Sequence, residues 1–167
     1  IYKNGSDKSH PVSYRPISLT PVLCKINERM ITTRLYWYLE KHNILNSSQS
    51  AYRKGRQTLD QLIRLHDNIN KNINTKGHTV AIMFDFSKAF DLLWKNGLLH
   101  KIKEIGIKGR IHSWIKDFLS HRKIKVKVNN TLSASFELQN GTPQGSVISP
   151  LLFLLMINDY PKTDTET

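Results

Sequence analysis

The chain has 167 residues, of which 39% are apolar and 23% are charged. This length suits one folded domain, and this composition excludes a wholly disordered chain and a fibrous repeat. The 25 Lys and Arg residues outnumber the 13 Asp and Glu residues and leave a formal net charge of +12. Because both halves of the chain carry part of this excess, we expect the folded body to bind a polyanion.

The cysteine content and the apolar runs exclude further classes. The single cysteine, Cys24, allows no internal disulfide and no thiolate zinc cage, and it suits a reducing, intracellular location. The longest apolar run, Leu151 to Ile157, is far shorter than the ~20 residues of a membrane span, so we expect no membrane partner. The chain starts at Ile1 without a signal-peptide pattern and stops at Thr167 after an apolar segment, which predicts a fragment.

The first part of the chain predicts an extended lead-in followed by a long helix. Residues 1–20 are rich in Ser, Pro, Asn and Lys, which favours extended chain without a helix. After Pro21, apolar residues recur at helical spacing as far as about His42 and predict an amphipathic helix. These residues are Leu23, Ile26, Met30 and Trp37.

The next segment predicts a helix and a buried strand. Thr58 and Gln61 have the spacing of a capping box and precede a second amphipathic pattern, which stops at Gly77. Five consecutive apolar residues, Val80 to Phe84, then predict a central strand that is covered on both faces.

The remaining segments predict short helices and a hairpin. Alternating apolar and polar residues over 122–139, interrupted by Asn129-Asn130, are typical of a β-hairpin. Ser149 is placed to cap a deeply buried helix whose first residue is Pro150. Before the hairpin, the pattern predicts two further helices, Leu98 to Ile105 and Arg110 to Leu119.

Two carboxylates beside the predicted strand are candidates for metal chemistry. Asp85 ends the strand, where a buried charge is costly unless a cation or hydrogen bonds compensate it. Asp91 lies on the loop that leaves the strand. A structural alternative remains open, in which Asp85 caps a turn and Asp91 caps the next helix.

Two groups of cations are candidates for binding phosphate. Arg53, Lys54 and Arg56 surround Gly55 before a helix, a combination that can hold a triphosphate or a nucleic-acid backbone, although short basic loops are often only solvated surface. Lys123, Lys125 and Lys127 share one face of the hairpin. They could neutralise a nucleic-acid backbone, and as edge-strand lysines they could equally block aggregation.

Taken together, four strings in this order resemble a reverse transcriptase, and most closely that of LINE-type (non-LTR) retrotransposons. The resemblance runs from about Val12 to Asp159. The strings are Tyr14-Arg15-Pro16-Ile17-Ser18-Leu19, Arg53-Lys54-Gly55-Arg56, Phe84-Asp85-Phe86-Ser87-Lys88-Ala89-Phe90-Asp91 and Gly141-Thr142-Pro143-Gln144-Gly145-Ser146-Val147-Ile148-Ser149-Pro150-Leu151-Leu152-Phe153.

The resemblance implies an α+β fold of the right-hand polymerase type, with an antiparallel palm sheet packed on helices. The whole chain, 1–167, would be one incomplete domain, with 1–78 belonging to the fingers and 79–167 mainly to the palm. The family's second metal-binding motif, an Asp-Asp pair, is expected downstream of Asp159, and the thumb follows it. We therefore expect this chain to be truncated before both and to lack polymerase activity by itself.

The resemblance also implies an activity, RNA-directed addition of dNTPs to a DNA primer on an RNA template, with two Mg²⁺ ions or Mn²⁺ as the alternative cofactor. Each matching position carries an implied role. Asp85 and the carbonyl of Phe86 would bind metal, and Lys54 and Arg56 would bind the triphosphate. Phe90 would exclude a 2′-hydroxyl, and Gln144 and Gly145 would line the nucleotide pocket. The residues that would contact nucleic acid are Arg15, Arg53 and the three hairpin lysines. Asp91 is more consistent with a structural role. A catalytically inactive, RNA-binding remnant of a retroelement is the alternative.

Overall fold

The computed structural model describes residues 1–3 and 5–160. A short 3₁₀ helix, Pro11–Ser13, interrupts the lead-in that the sequence predicts to be entirely extended. Five α-helices and four two-residue strands follow it in the described residues. They are α1 (Val22–Lys41), α2 (Thr58–Asn74), α3 (Lys95–Glu104), α4 (Gly109–Leu119), β1 (Lys123–Ile124), β2 (Lys127–Val128), β3 (Thr131–Leu132), β4 (Phe136–Glu137) and α5 (Ser149–Met156).

The hydrophobic core lies between the C-terminal half of α1 and the helices α3, α4 and α5. Helix α5 is apolar on all sides, and its leucines are fully buried, which confirms the prediction from its sequence. Because α3 packs against both α4 and α5, it joins the two other helices of the C-terminal half. The core residues on these elements include Leu35, Leu39, Leu98, Ile102, Ile115, Leu119, Leu151, Leu152, Leu154 and Leu155.

Helix α1 has the predicted length, but the face predicted to be apolar is exposed. Leu23 is 79% exposed and Trp37 is 62% exposed. The buried residues are instead Glu28, Thr32, Leu35 and Leu39, which recur at intervals of four, three and four. Apolar side chains occur around the whole helix, so the periodicity alone could not identify the face that packs on the core.

The predicted central strand is wrong. Val80 to Phe84 have no regular secondary structure, and Val80 and Met83 are each 84% exposed. A strand requires neighbouring backbone to pair with, and no strand lies beside this segment in the part of the chain that the structure describes. Helix α2 is exposed as well, and none of its described residues is buried.

The hairpin prediction is confirmed in a shortened form. Strand β1 pairs with β4 and strand β2 pairs with β3, both antiparallel, around a turn at Asn129. These are two separate two-stranded sheets among the described residues. Helices with small antiparallel sheets agree with the predicted α+β class. The last seven residues of the part that is predicted to belong to the palm, 161–167, lie outside the described residues.

Both predicted helix caps are shifted by one residue. The capping box of α2 joins Gln57 and Asp60, so each partner lies one position before the predicted one. Helix α5 begins at Ser149, and within the described chain the buried Ser149 hydroxyl has no hydrogen-bond partner. No helix described by the structure combines the length and the apolar character that crossing a bilayer requires.

Candidate nucleotide-binding site

A loop at 141–145 lies directly against the segment 90–93. The Gly141 N–H donates to the Leu93 carbonyl at 2.8 Å, and the Thr142 N–H donates to the Phe90 carbonyl at 2.7 Å. Gly141 has a φ of +87°, and a Cβ there would lie 2.4 Å from the Asp91 carbonyl oxygen. Glycine is therefore required here by both the backbone angle and the space.

Gln144 connects three of the sequence strings. Its Nε2 donates to Oδ1 of Asp91 at 2.9 Å and to Oδ2 at 3.0 Å. Its carbonyl accepts the Ser18 N–H at 2.8 Å. The next residue, Gly145, lies so close to Ser18 that an added Cβ would contact the Ser18 carbonyl oxygen at 3.5 Å. The carboxylate of Asp91 thus has a structural partner, in agreement with its predicted role.

Phe90 lies between two aromatic rings. Its ring centroid is 5.5 Å from that of Phe153 in α5 and 6.4 Å from that of Tyr52, which directly precedes the basic loop. Tyr52 has a φ of 56°, which is unusual for a bulky residue, and its carbonyl accepts the Tyr36 hydroxyl at 2.6 Å. Burial raises the pKa of Tyr36, so this hydroxyl stays a donor. The basic loop and Phe90 are therefore neighbours.

The two arginines of the basic loop are bound within the chain. Arg53 donates two hydrogen bonds to the Glu40 carboxylate, at 2.9 and 2.7 Å, and two more to the carbonyls of Asn46 and Gln49. Its side chain is only 6% exposed. Arg56 donates to the carbonyls of Ser47 and Gln49 and is half-buried. Four of the five Arg53 donors are thus occupied, which favours a structural role for this residue.

The Glu40–Arg53 pair predicts acid sensitivity. The hydrogen bond from Arg53 lowers the pKa of Glu40 below its usual value of 4.5. A lowered folded-state pKa contributes stability above the unfolded-state pKa, and this contribution is lost as the pH falls from about 4.5 through the folded-state value. Glu40→Gln should therefore cost about 1 kcal/mol or less at pH 7, since Glu40 is partly exposed, and less at pH 2 than at pH 7. Urea unfolding at both pH values measures this, with Asp117→Asn, at an exposed position on α4, as the control. An equal cost at both pH values would contradict the ionic origin.

Asp85 does not lie in a buried site. The residue is exposed, because the strand predicted to bury it does not form. Its neighbour Phe86 has its ring 5.9 Å from Phe153 and 6.0 Å from Tyr160, so the aromatic side chain holds this segment near α5. The prediction that Asp85 ends a buried strand is wrong, and its catalytic role remains a prediction.

The described residues do not form a two-metal site. Carboxylate and carbonyl oxygens, such as those of Asp85 and Phe86, are the donors that Mg²⁺ prefers. However, the structure brings no three His, Cys, Asp or Glu side chains together in the described residues. Asp91, the nearest carboxylate along the chain, accepts both of its hydrogen bonds from Gln144. One exposed carboxylate supplies too few ligands for two ions.

The remaining predicted contacts with nucleic acid are surface cations. Lys54 and Arg15 are exposed, and so are Lys123, Lys125 and Lys127 on the hairpin. They can meet a phosphate backbone without a rearrangement of the core. Their roles remain predictions.

The sequence analysis missed Glu28 and Glu40. Glu28 is 1% exposed in the middle of α1, and its Oε2 accepts hydrogen bonds from residues 146–148. Glu40 fastens the basic loop to α1 through Arg53. The spacing of residues in α1 was a signal that Glu28 is buried. Glu28 lies four, seven and eleven residues before Thr32, Leu35 and Leu39 and so shares their face of the helix.

Comparison with known proteins agrees with these motifs. Residues 1–165 match the reverse transcriptase (RNA-dependent DNA polymerase) family, and the chain belongs to that family. It is 35% identical over 161 residues to a probable RNA-directed DNA polymerase from transposon BS of Drosophila melanogaster. It is 34% identical over 164 residues to one from transposon X-element and 33% identical over 161 residues to that from mobile element jockey, both of the same species.

These matches cover 96% to 98% of the chain and only 18% of each relative. The chain thus corresponds to one section of a much longer polymerase protein. The family assignment confirms the resemblance to the enzymes of LINE-type retrotransposons.

Proposed function

We propose that this chain supplies the fingers and the first part of the palm of an RNA-directed DNA polymerase that serves retrotransposition. The observation that carries the proposal is the match to three such polymerases over at least 96% of the chain. Family membership implies a divalent metal, an RNA template and a DNA primer. The described residues supply one candidate carboxylate for metal, Asp85, so we expect no polymerase activity from the 167 residues alone.

The nucleotide pocket would lie around Phe90, between the basic loop and Gln144. Lys54 is exposed and Arg56 is half-buried, and either cation could meet a triphosphate. Three other N–H donors of Arg56, one on Nε and two on Nη2, remain available because both of its hydrogen bonds among the described residues come from Nη1. The loop of Gln144 and Gly145 is fixed against Asp91 and Ser18, which orients this wall before a substrate binds.

Template and primer would lie against the cationic surface. Arg15 and the hairpin residues Lys123, Lys125 and Lys127 are exposed, while Arg53 would act indirectly by holding the basic loop. The proposal is tested by primer extension on an RNA template with a polypeptide of the relatives' full length that carries this chain. DNA synthesis supports it. Salt-dependent duplex binding without synthesis would instead support a nucleic-acid-binding remnant.

Phe90→Val should weaken discrimination against ribonucleotides. The ring is held between Tyr52 and Phe153, so it cannot easily turn away from a 2′-hydroxyl, whereas a valine leaves space. We expect the ratio of ribonucleotide to deoxynucleotide incorporation, measured as kcat/KM, to rise at least about tenfold. Phe136→Val, at an exposed position on β4, serves as control. An unchanged ratio would show that Phe90 does not contact the sugar.

A further inference from the structure

Glu28 is an acidic residue buried in the middle of α1. Its side chain is 1% exposed, and Oε2 accepts hydrogen bonds from the Ser146 hydroxyl at 2.5 Å, the Val147 N–H at 2.7 Å and the Ile148 N–H at 3.4 Å. A buried carboxylate is costly to desolvate, and donors of this kind offset that cost. All three donors come from one turn that is 118 to 120 residues away in the sequence.

This turn lies between the candidate pocket and α5. Gln144 and Gly145 precede it directly, and Ile148 is the N-cap residue of α5. An isoleucine has no polar atom with which to cap a helix, and Glu28 accepts the N–H groups of Val147 and of Ile148 itself, directly before α5 begins. Its carboxylate also lies at the positive end of the α5 dipole.

A third element contributes charge to the same place. Burial lowers the pKa of Arg122, which lies between α4 and β1, and the negative charge of Glu28 acts in the opposite direction. The Arg122 Nη1 donates to the Phe118 carbonyl at 3.1 Å. Glu28 therefore holds the 146–148 turn by direct hydrogen bonds, and its charge acts on Arg122 without an ion pair between the two in the described residues. A residue that only filled space on α1 would not need these hydrogen bonds.

We propose that Glu28 is a positioning residue for the nucleotide pocket, because it anchors the 146–148 turn and so holds Gln144 in its contact with Asp91. This inference rests on the proposed function. Glu28 does not itself line the pocket, since its side chain is buried on the core side of the turn. Its effect on the substrate is transmitted through the backbone of residues 144–146.

The first test follows Gln144 without any substrate. In the 167-residue chain, the Gln144 side-chain amide donates to Asp91, so its exchange with water should be slower than that of a free glutamine amide. Glu28→Gln keeps the size of the side chain and removes its charge, and we expect exchange of both the Val147 N–H and the Gln144 amide to accelerate about tenfold or more. Unchanged exchange at Gln144 would overturn the inference, even if Val147 changes.

Two further variants support this measurement. Ser146→Ala removes one of the three donors and should produce a smaller change in the same direction, which keeps the test usable if Glu28→Gln folds poorly. Glu104→Gln alters an exposed acid on α3 and should change neither exchange rate.

The second test separates positioning from general stability. In a full-length polypeptide that extends a primer, Glu28→Gln should raise KM for dNTP about tenfold and change kcat much less, because a displaced pocket wall weakens substrate binding. An unchanged KM would overturn the inference and leave the proposed function intact. If the wild-type polypeptide does not extend a primer, the proposed function fails, and exchange at Gln144 still decides whether Glu28 positions this loop.

Discussion

Asp85→Asn is expected to reduce primer extension at least about a thousandfold in a full-length polypeptide that carries this chain. Asparagine keeps the size of the side chain and one oxygen, but it lacks the negative charge with which a carboxylate balances the charge of a divalent cation. Because Asp85 is exposed and makes no part of the core, the substitution should leave the fold intact. Primer extension and duplex binding are measured on the same preparation.

The control is Asp117→Asn, which removes an exposed carboxylate from α4. It should leave primer extension unchanged. Both variants should bind the RNA–DNA duplex like wild type, apart from the small gain in affinity that the loss of one negative charge gives. Extension by Asp85→Asn within about tenfold of wild type would exclude Asp85 as a metal ligand, because the loss of a ligand charge costs more than that.

Gly141→Ala is expected to give the largest loss of stability among these substitutions. An alanine at φ +87° costs about 1–2 kcal/mol from the backbone angle alone. Its Cβ would also lie 2.4 Å from the Asp91 carbonyl oxygen, which is backbone and cannot turn aside. Moving the two segments apart adds about 1–3 kcal/mol, so we expect the free energy of unfolding to fall by about 2–5 kcal/mol. Urea unfolding of the 167-residue chain measures this.

Gly109→Ala separates the two causes. Gly109 also has a positive φ, +67°, but a Cβ there would meet nothing within 4 Å. It should therefore show only the backbone cost of about 1–2 kcal/mol. Equal losses for both variants would mean that the loop at 141–145 moves away from Asp91 without difficulty, and that its contact with Asp91 is not tightly held.

Helical segments of the fold could be predicted from the sequence because their signals are local. The spacing of apolar residues and the breaks at Gly77 and at Gly106 placed α1 to α4 to within a few residues. Which face of a helix is buried depends on the rest of the protein, and α1, which carries apolar residues among its charged ones on all sides, was therefore assigned the wrong face. The prediction of a strand at Val80 to Phe84 was wrong for a related reason. A run of apolar residues shows that a segment is suited to burial, but it does not show which other segment covers it.

The motifs of the candidate site could be predicted from the sequence, but the contacts between these motifs could not. Gln144, Phe90 and the basic loop could be named from their strings, and the structure brings these three regions together. The link from Gln144 to Asp91 joins residues 53 positions apart, and that from Glu28 to Ser146 joins residues 118 apart. Single-sequence periodicity contains no information on such pairs. Arg53, a cation in a phosphate-binding pattern, pairs with Glu40, and the pattern gave no sign of this partner.

The exposed segment Val80 to Phe84 has a consequence for the behaviour of the chain in solution. Its apolar side chains are exposed, and its backbone groups make no hydrogen bond to other described residues, so it is a template for self-association into intermolecular sheets. The net charge of +12 makes copies repel each other and so delays such encounters. Added electrolyte shortens the range of this repulsion while it also weakens attraction to polyanions. If the chain binds nucleic acid as proposed, a rise in ionic strength should release the nucleic acid and bring the released copies together, so that dissociation and precipitation would respond to the same variable.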